Sequence, residues 1–152
     1  MIFGRKYWLG LALCLALQGA GQVSADLVVL HTNDVHCGVE NQLGYAQLAQ
    51  YKKDLMKNPD DTVQLVDAGD AIQGEPLGSL TRGQAVIDIM NVAGYDFAIP
   101  GNHEFDYGVA RLLELAPQLA GGYYSCNLVD LRTRKTVFPP YKMVAYDGGK
   151  KA

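Results

Sequence analysis

Histidine is scarce and unevenly placed: His31, His36 and His103 are the only three among 152 residues, and none follows position 106. Within these 152 residues, any imidazole ligand therefore stands before that point. An excess of positive charge is missing as well. Thirteen Lys and Arg stand against sixteen Asp and Glu, a formal net charge of −3. That balance argues against nonspecific nucleic-acid binding, which depends on Lys and Arg neutralising phosphates. A small phosphate-bearing substrate stays compatible with it if metal ions supply the positive charge. There is no uncharged apolar run of about 20 residues, the length of a membrane span. Low-complexity segments are absent too, as are internal repeats beyond an alternation of strand and helix patterns. With 49% hydrophobic and 19% charged residues, the chain has the composition of one domain able to bury a core.

At the start, Arg5 and Lys6 precede the apolar run Tyr7 to Leu17, and a small-residue stretch ends in Val23-Ser24-Ala25. This is the order of a secretory signal peptide, expected over residues 1–25 with cleavage after Ala25. Leu13 before Cys14 is too bulky for a convincing lipoprotein site. Cleavage removes Arg5 and Lys6, the only charges of that segment, and takes the net charge from −3 to −5. Cys37 and Cys126 remain. An oxidising compartment permits a disulfide between them, and two unpaired thiols are equally open, because bridging requires their Cα atoms to be close.

From Asp26 the hydrophobic periodicity alternates between two types. Asp26 to Thr32 predicts a strand, its continuous Leu27 to Leu30 run matching one covered on both faces. Leu43 to Lys57 predicts an amphipathic helix, with Leu48, Tyr51 and Leu55 on one side and Lys52, Lys53 and Asp54 between them. Thr62 to Val66 predicts a second strand, and a long glycine-rich loop runs from Asp67 to Arg82. Loops of that length are usually functional. Gln84 to Ala93 predicts a second helix burying Val86, Ile87 and Met90, with Gly94 as its left-handed cap. Asp96 to Ile99 predicts a third strand and Val109 to Leu119 a third helix that Pro117 bends or shortens. Tyr123 to Leu128 predicts a fourth strand. The fold class is therefore α/β with a mostly parallel sheet, right-handed crossovers and flanking helices. Tyr141 to Tyr146 predicts a further strand and Asp147-Gly148-Gly149 a hairpin turn. The return strand has almost no room before Ala152, so the sequence reads as ending mid-element.

Polar clusters follow three of the strand patterns. In a parallel sheet, loops at the carboxyl ends of strands share one edge, so these clusters are expected to converge. Asp34 and His36, two residues apart, offer a carboxylate and an imidazole to one ion, a donor set suited to zinc, manganese, iron or cobalt. Taken alone, Asp34 is equally a turn former and His36 a surface residue. Asp70 is the better ligand of the Asp67-Ala68-Gly69-Asp70 group, since Gly69 lets the backbone pass close beneath a bound group, whereas Asp67 serves to brace the loop. In the third cluster, Asn102 is either a helix cap or an amide ligand. His103 is either structural or a proton donor that Asp106 holds in one tautomer. Glu104 reads as a loop charge, Phe105 as a core residue, and His31 as a hydrogen-bonded structural residue.

The segments His31-Thr32-Asn33-Asp34-Val35-His36, Gly69-Asp70-Ala71-Ile72-Gln73-Gly74 and Gly101-Asn102-His103-Glu104-Phe105-Asp106 resemble, in order and spacing, the first three motifs of the calcineurin-like metallophosphoesterases. The form of the motifs and the leader are most similar to the secreted 5′-nucleotidase and UDP-sugar hydrolase branch. The resemblance implies an αββα sandwich, of which residues 26–152 form the N-terminal part of the catalytic domain. It implies two divalent ions (Zn, Mn, Co or Fe), with Asp34 and His36 on one, Asp70 bridging and Asn102 on the second. It also implies His103 as the catalytic histidine with Asp106 as its partner. The expected substrate is a nucleotide or nucleotide-sugar outside the cytoplasm, in a secreted, periplasmic or cell-envelope location. UDP-sugars and 2′,3′-cyclic nucleotides are the alternatives within the superfamily. Members of the family take further histidine ligands from downstream motifs and bind the base with a C-terminal domain. Neither is present here, so an inactive metal-binding remnant stands as the third reading.

Overall fold

The computed structural model describes residues 25–152; the leader expected over residues 1–25 lies, apart from Ala25, outside the described residues. Strands β1 (Leu27–Thr32), β2 (Thr62–Asp67) and β3 (Phe97–Ala98) form a parallel sheet in the order β1-β2-β3. Thr32 lies beside Asp67, and Asp67 beside Ala98, so all three strands end at one edge. Helix α1 is Gly44–Leu55, α2 Pro76–Thr81, α3 Gln84–Ala93 and α4 Val109–Leu115. The core is continuous from Leu65 on β2 through Ile87 and Met90 on α3 to Leu112 and Leu115 on α4, all fully or almost fully buried.

Helix α3 has the predicted bounds and buries the predicted residues, and Gly94 closes it at φ +80° with its N–H on the carbonyls of Met90 and Asn91. Pro117 acts as expected: α4 stops at Leu115 and a 3-10 turn, Ala116–Gln118, follows. Elsewhere the structure corrects the reading. Strand β1 is not covered on both faces among the described residues, since Val29 is 53% exposed. Helix α1 is rotated from its predicted stripe. It buries Tyr45, Leu48 and Lys52, while Tyr51 is exposed. A lysine is tolerated there because Nζ donates to the Gly94 carbonyl at 2.6 Å and to Asp96 at 2.7 Å, and Asp96 also accepts the Leu65 N–H. A buried ammonium keeps its charge only with such partners.

The long loop contains α2, with Pro76 in its first turn, where proline's fixed φ and missing donor cost nothing. The fourth strand contracts to one parallel bridge, Ala98 to Tyr123, because Ser125 turns away and donates its N–H to Pro139. The hairpin does close: β4 (Ala145–Tyr146) pairs antiparallel with β5 (Lys150–Lys151) across the Asp147–Gly149 turn. Cys37 is buried and Cys126 exposed, and both thiols are free. No helix among the described residues is long and apolar enough to cross a membrane.

At the end of β2, Asp67 is 2% exposed and ties the sheet edge together. Its carboxylate accepts the Thr32 hydroxyl at 2.6 Å and the Gly69 N–H at 2.9 Å, and Thr32 is in turn 2.9 Å from the Tyr95 hydroxyl. Burial pushes the Asp67 carboxyl up to about 7 from 3.8 against the pull of those two donors, and the charges of Glu104 and Asp70 add to the rise. The folded state thus holds this proton more tightly than the unfolded chain. Its stabilising contribution is full below about pH 4 and is lost as pH climbs through about 7. Asp67→Asn, which keeps an acceptor for Gly69, should flatten the pH dependence of urea unfolding in chelator between about pH 4 and 7, removing a contribution on the order of 4 kcal/mol. An unchanged pH slope would show that Asp67 is ionised throughout.

Candidate metal centre

The site begins with backbone. Beyond the ends of β1 and β2 the two chains remain zipped: Asp34 N–H donates to Gly69 at 3.1 Å, His36 to Asp70 at 2.9 Å and Cys37 to Ala71 at 2.9 Å. This pairing requires unusual conformations. Asp34, His36 and Asp70 have φ of 53°, 49° and 62°, in the left-handed region that non-glycine residues rarely occupy. Three candidate ligands in that region are a concentration of strain of the kind found at functional sites. The third loop is fixed to the second by side chains. His103 N–H donates to Asp70 Oδ1 at 2.7 Å. Gly101 packs so closely on Asp70 that a Cβ there would lie 2.2 Å from Oδ1.

These contacts bring donor atoms of His36, Asp70 and His103 within 4.8 Å of one another. The two imidazole rings meet edge to face, the His36 and His103 centroids 5.0 Å apart. His36 Nδ1 lies 3.1 Å from the Gln73 carbonyl. That oxygen only accepts, so the proton sits on Nδ1 and Nε2 keeps a free lone pair, the arrangement second neighbours impose on metal-ligating histidines. Asp34 Oδ1 is 3.8 Å from His36 Nε2, and its other oxygen accepts the Asn33 amide. His103 Nδ1 is 2.8 Å from Asp106, which fixes its ring and occupies that nitrogen. Its hydrogen bond to Asp106 holds the His103 imidazolium above its ordinary range, with the charges of Asp106, Asp70 and Glu104 adding to the effect. Asp70, 8% exposed, has no Lys or Arg ion pair among the described residues. The imidazole of His36 with the carboxylates of Asp70 and Asp34 fits a first-row divalent cation, and His103 lies beside that set.

Of the residues expected from sequence, the structure brings His36 and Asp70 together, with Asp34 at the margin and His103 inside the same group. Asn102 precedes the 3-10 turn His103–Phe105, exposed, and its amide is not spent on a cap. Phe105 packs on the core as expected. Two expectations fail. His31 is exposed, and its imidazole makes no hydrogen bond among the described residues. Glu104 is no loop charge: it is 1% exposed, and its carboxylate accepts four backbone N–H groups. The partners of Glu104 on the second loop lie more than thirty positions away, so only the meeting of two loops reveals its role.

The pattern described as calcineurin-like phosphoesterase matches residues 27–150. The chain belongs to that family. Among calcineurin-like relatives, the snake venom 5′-nucleotidase of Gloydius brevicauda is 40% identical over 151 residues, covering 86% of this chain and 25% of the relative. The 2′,3′-cyclic-nucleotide 2′-phosphodiesterase/3′-nucleotidase of Salmonella typhimurium is 28% identical over 153 residues, 90% of this chain and 24% of the relative. The solved 5′-nucleotidase precursor of Thermus thermophilus superposes with a TM-score of 0.69 at 29% identity, covering 82% of this chain and 27% of that one. This phosphoesterase chain therefore spans about a quarter of the length of the curated relatives it matches, and its parallel sheet and helices represent part of the metallophosphoesterase fold.

Gly101→Ala tests the close approach of the second and third loops. Its Cβ would also lie 2.8 Å from the Asp70 backbone nitrogen, and relieving that overlap should cost roughly 1–3 kcal/mol in chemical denaturation. A neutral substitution would mean that the two loops are not in contact.

Proposed function

We propose that this chain is the N-terminal part of the catalytic domain of a metal-dependent phosphoester hydrolase acting on nucleotides outside the cytoplasm. The observation that carries the reading is the convergence of His36, Asp70 and the Asp106-anchored His103 at one sheet edge. Asp34 and His36 would hold one divalent ion, Asp70 would bridge, and Asn102 would hold the second. Bound there, such a pair would supply positive charge to phosphoryl oxygens and acidify a water. Asp70 suits the shared position because one carboxylate offers two oxygens and its charge reduces repulsion between cations.

Within this chain, the chemistry falls to His103. Asp106 keeps the proton on Nδ1 and stabilises the cationic ring, so Nε2–H is available to a phosphate oxygen or to the departing alkoxide. A leaving group that takes that proton is expelled as a neutral alcohol, the ring stays neutral with its remaining proton on Nδ1 toward Asp106, and Nε2 regains a proton from water before the next turnover. Further ligands and a base-binding domain are expected from the rest of a longer protein, and the leader reading supports a secreted, periplasmic or cell-envelope location.

A second substrate reading is favoured by the Salmonella relative, whose name states action on 2′,3′-cyclic nucleotides. Parallel assays on AMP, a 2′,3′-cyclic nucleotide and UDP-glucose separate the two, and no turnover of any would leave the remnant reading. In the active full-length protein, His103→Ala should lower turnover by roughly 10²- to 10⁴-fold with metal content nearly unchanged. Asp70→Ala should lose metal and activity together. Loss of metal in His103→Ala would instead make His103 a ligand and overturn its role as proton donor.

A further inference from the structure

The geometry points to Glu104 as the positioning residue that clasps the second and third loops into one metal-binding geometry and lends the site its negative charge. The inference rests on the metal-dependent reading above. Glu104 Oε2 accepts the N–H of Asp70 at 2.8 Å and of Gly101 at 2.6 Å, while Oε1 accepts Ala71 at 2.8 Å and Ile72 at 3.3 Å. One oxygen thus joins the loop carrying Asp70 to the loop carrying Asn102 and His103. The other orders the backbone just beyond Asp70. No Lys or Arg pairs with this carboxylate among the described residues, so its charge is held by backbone dipoles alone. With Asp70 it makes two buried carboxylates behind one sheet edge. Like charges gathered away from water repel one another, and a cation in front of them relieves that repulsion.

The carboxylate's symmetry makes the role specific. Each oxygen faces two donors, so an amide at this position, in either orientation, sets its NH2 against two N–H groups. Glu104→Gln therefore keeps shape and volume while undoing one side of the clasp and removing the charge. Partners of metal ligands that are altered in this way typically cost 10- to 100-fold in metal affinity.

The test uses the full-length protein, stripped with chelator and titrated with Mn²⁺ by calorimetry, alongside thermal unfolding of the metal-free forms. Lys52→Met, which breaks the ion pair with Asp96 and touches none of the candidate ligands, serves as a control for lowered stability. Glu104→Gln is expected to weaken Mn²⁺ binding by roughly 10- to 100-fold and to lower kcat at saturating metal with KM little changed, while Lys52→Met lowers the unfolding temperature alone. If Glu104→Gln unfolds earlier but binds Mn²⁺ as the unaltered protein does, Glu104 is a structural brace and the inference is overturned. If Glu104→Gln does not fold, Glu104→Asp keeps the charge but withdraws it by one methylene, and the same loss of Mn²⁺ affinity is expected; undiminished affinity there overturns the clasp. A lack of Mn²⁺ uptake by the unaltered protein would instead defeat the metal-dependent reading itself.

Discussion

The parallel register of the sheet is the constraint from which the site follows. Thr32, Asp67 and Ala98 stand side by side across β1, β2 and β3. With every strand running the same way, each must be followed by a crossover, and each crossover leaves from the same edge. Loops from three distant parts of the chain are thereby delivered to one place. Had any strand been antiparallel, its polar loop would lie at the opposite end of the sheet, and His36, Asp70 and His103 would not meet.

Bringing loops together does not by itself hold ligands in position. The first two loops are joined because backbone pairing continues past the strand ends, at the cost of left-handed conformations at Asp34, His36 and Asp70. The third loop is attached by carboxylates: Asp70 receives His103, and Glu104 receives Asp70, Gly101 and their neighbours. Asp67 braces the same edge from below through Thr32 and Gly69. Acidic side chains suit this task because a carboxylate only accepts, and the backbone of tight turns leaves N–H groups without strand partners. The accumulated negative charge suits a divalent cation, the kind of metal that calcineurin-like phosphoesterases use.

Much of the fold was legible because it rests on local physics. The α3 helix, its Gly94 cap and the break at Pro117 each depend on residues within one or two turns, and they stand where the periodicity placed them. The less legible elements depended on distant partners. Lys52 looked like a solvent-facing charge until Asp96 and Gly94 came into reach, and the aromatic run from Tyr123 lost its strand when Ser125 found Pro139. The short helix in the long loop was masked by glycines on either side of Pro76.

For the site the division is similar. Sequence alone determined which residue types are available and that they follow apolar strand patterns, because side-chain chemistry and the alternation of strand and helix are properties of short segments. It therefore indicated Asp34, His36, Asp70, Asn102, His103 and Asp106 as candidates. Only the tertiary structure decided that His36, Asp70 and His103 approach within 4.8 Å, that His36 presents Nε2, and that Glu104 is buried as a clasp. Those outcomes depend on hydrogen bonds between loops more than thirty residues apart, and such distances are set by strand register and packing, which no local pattern contains.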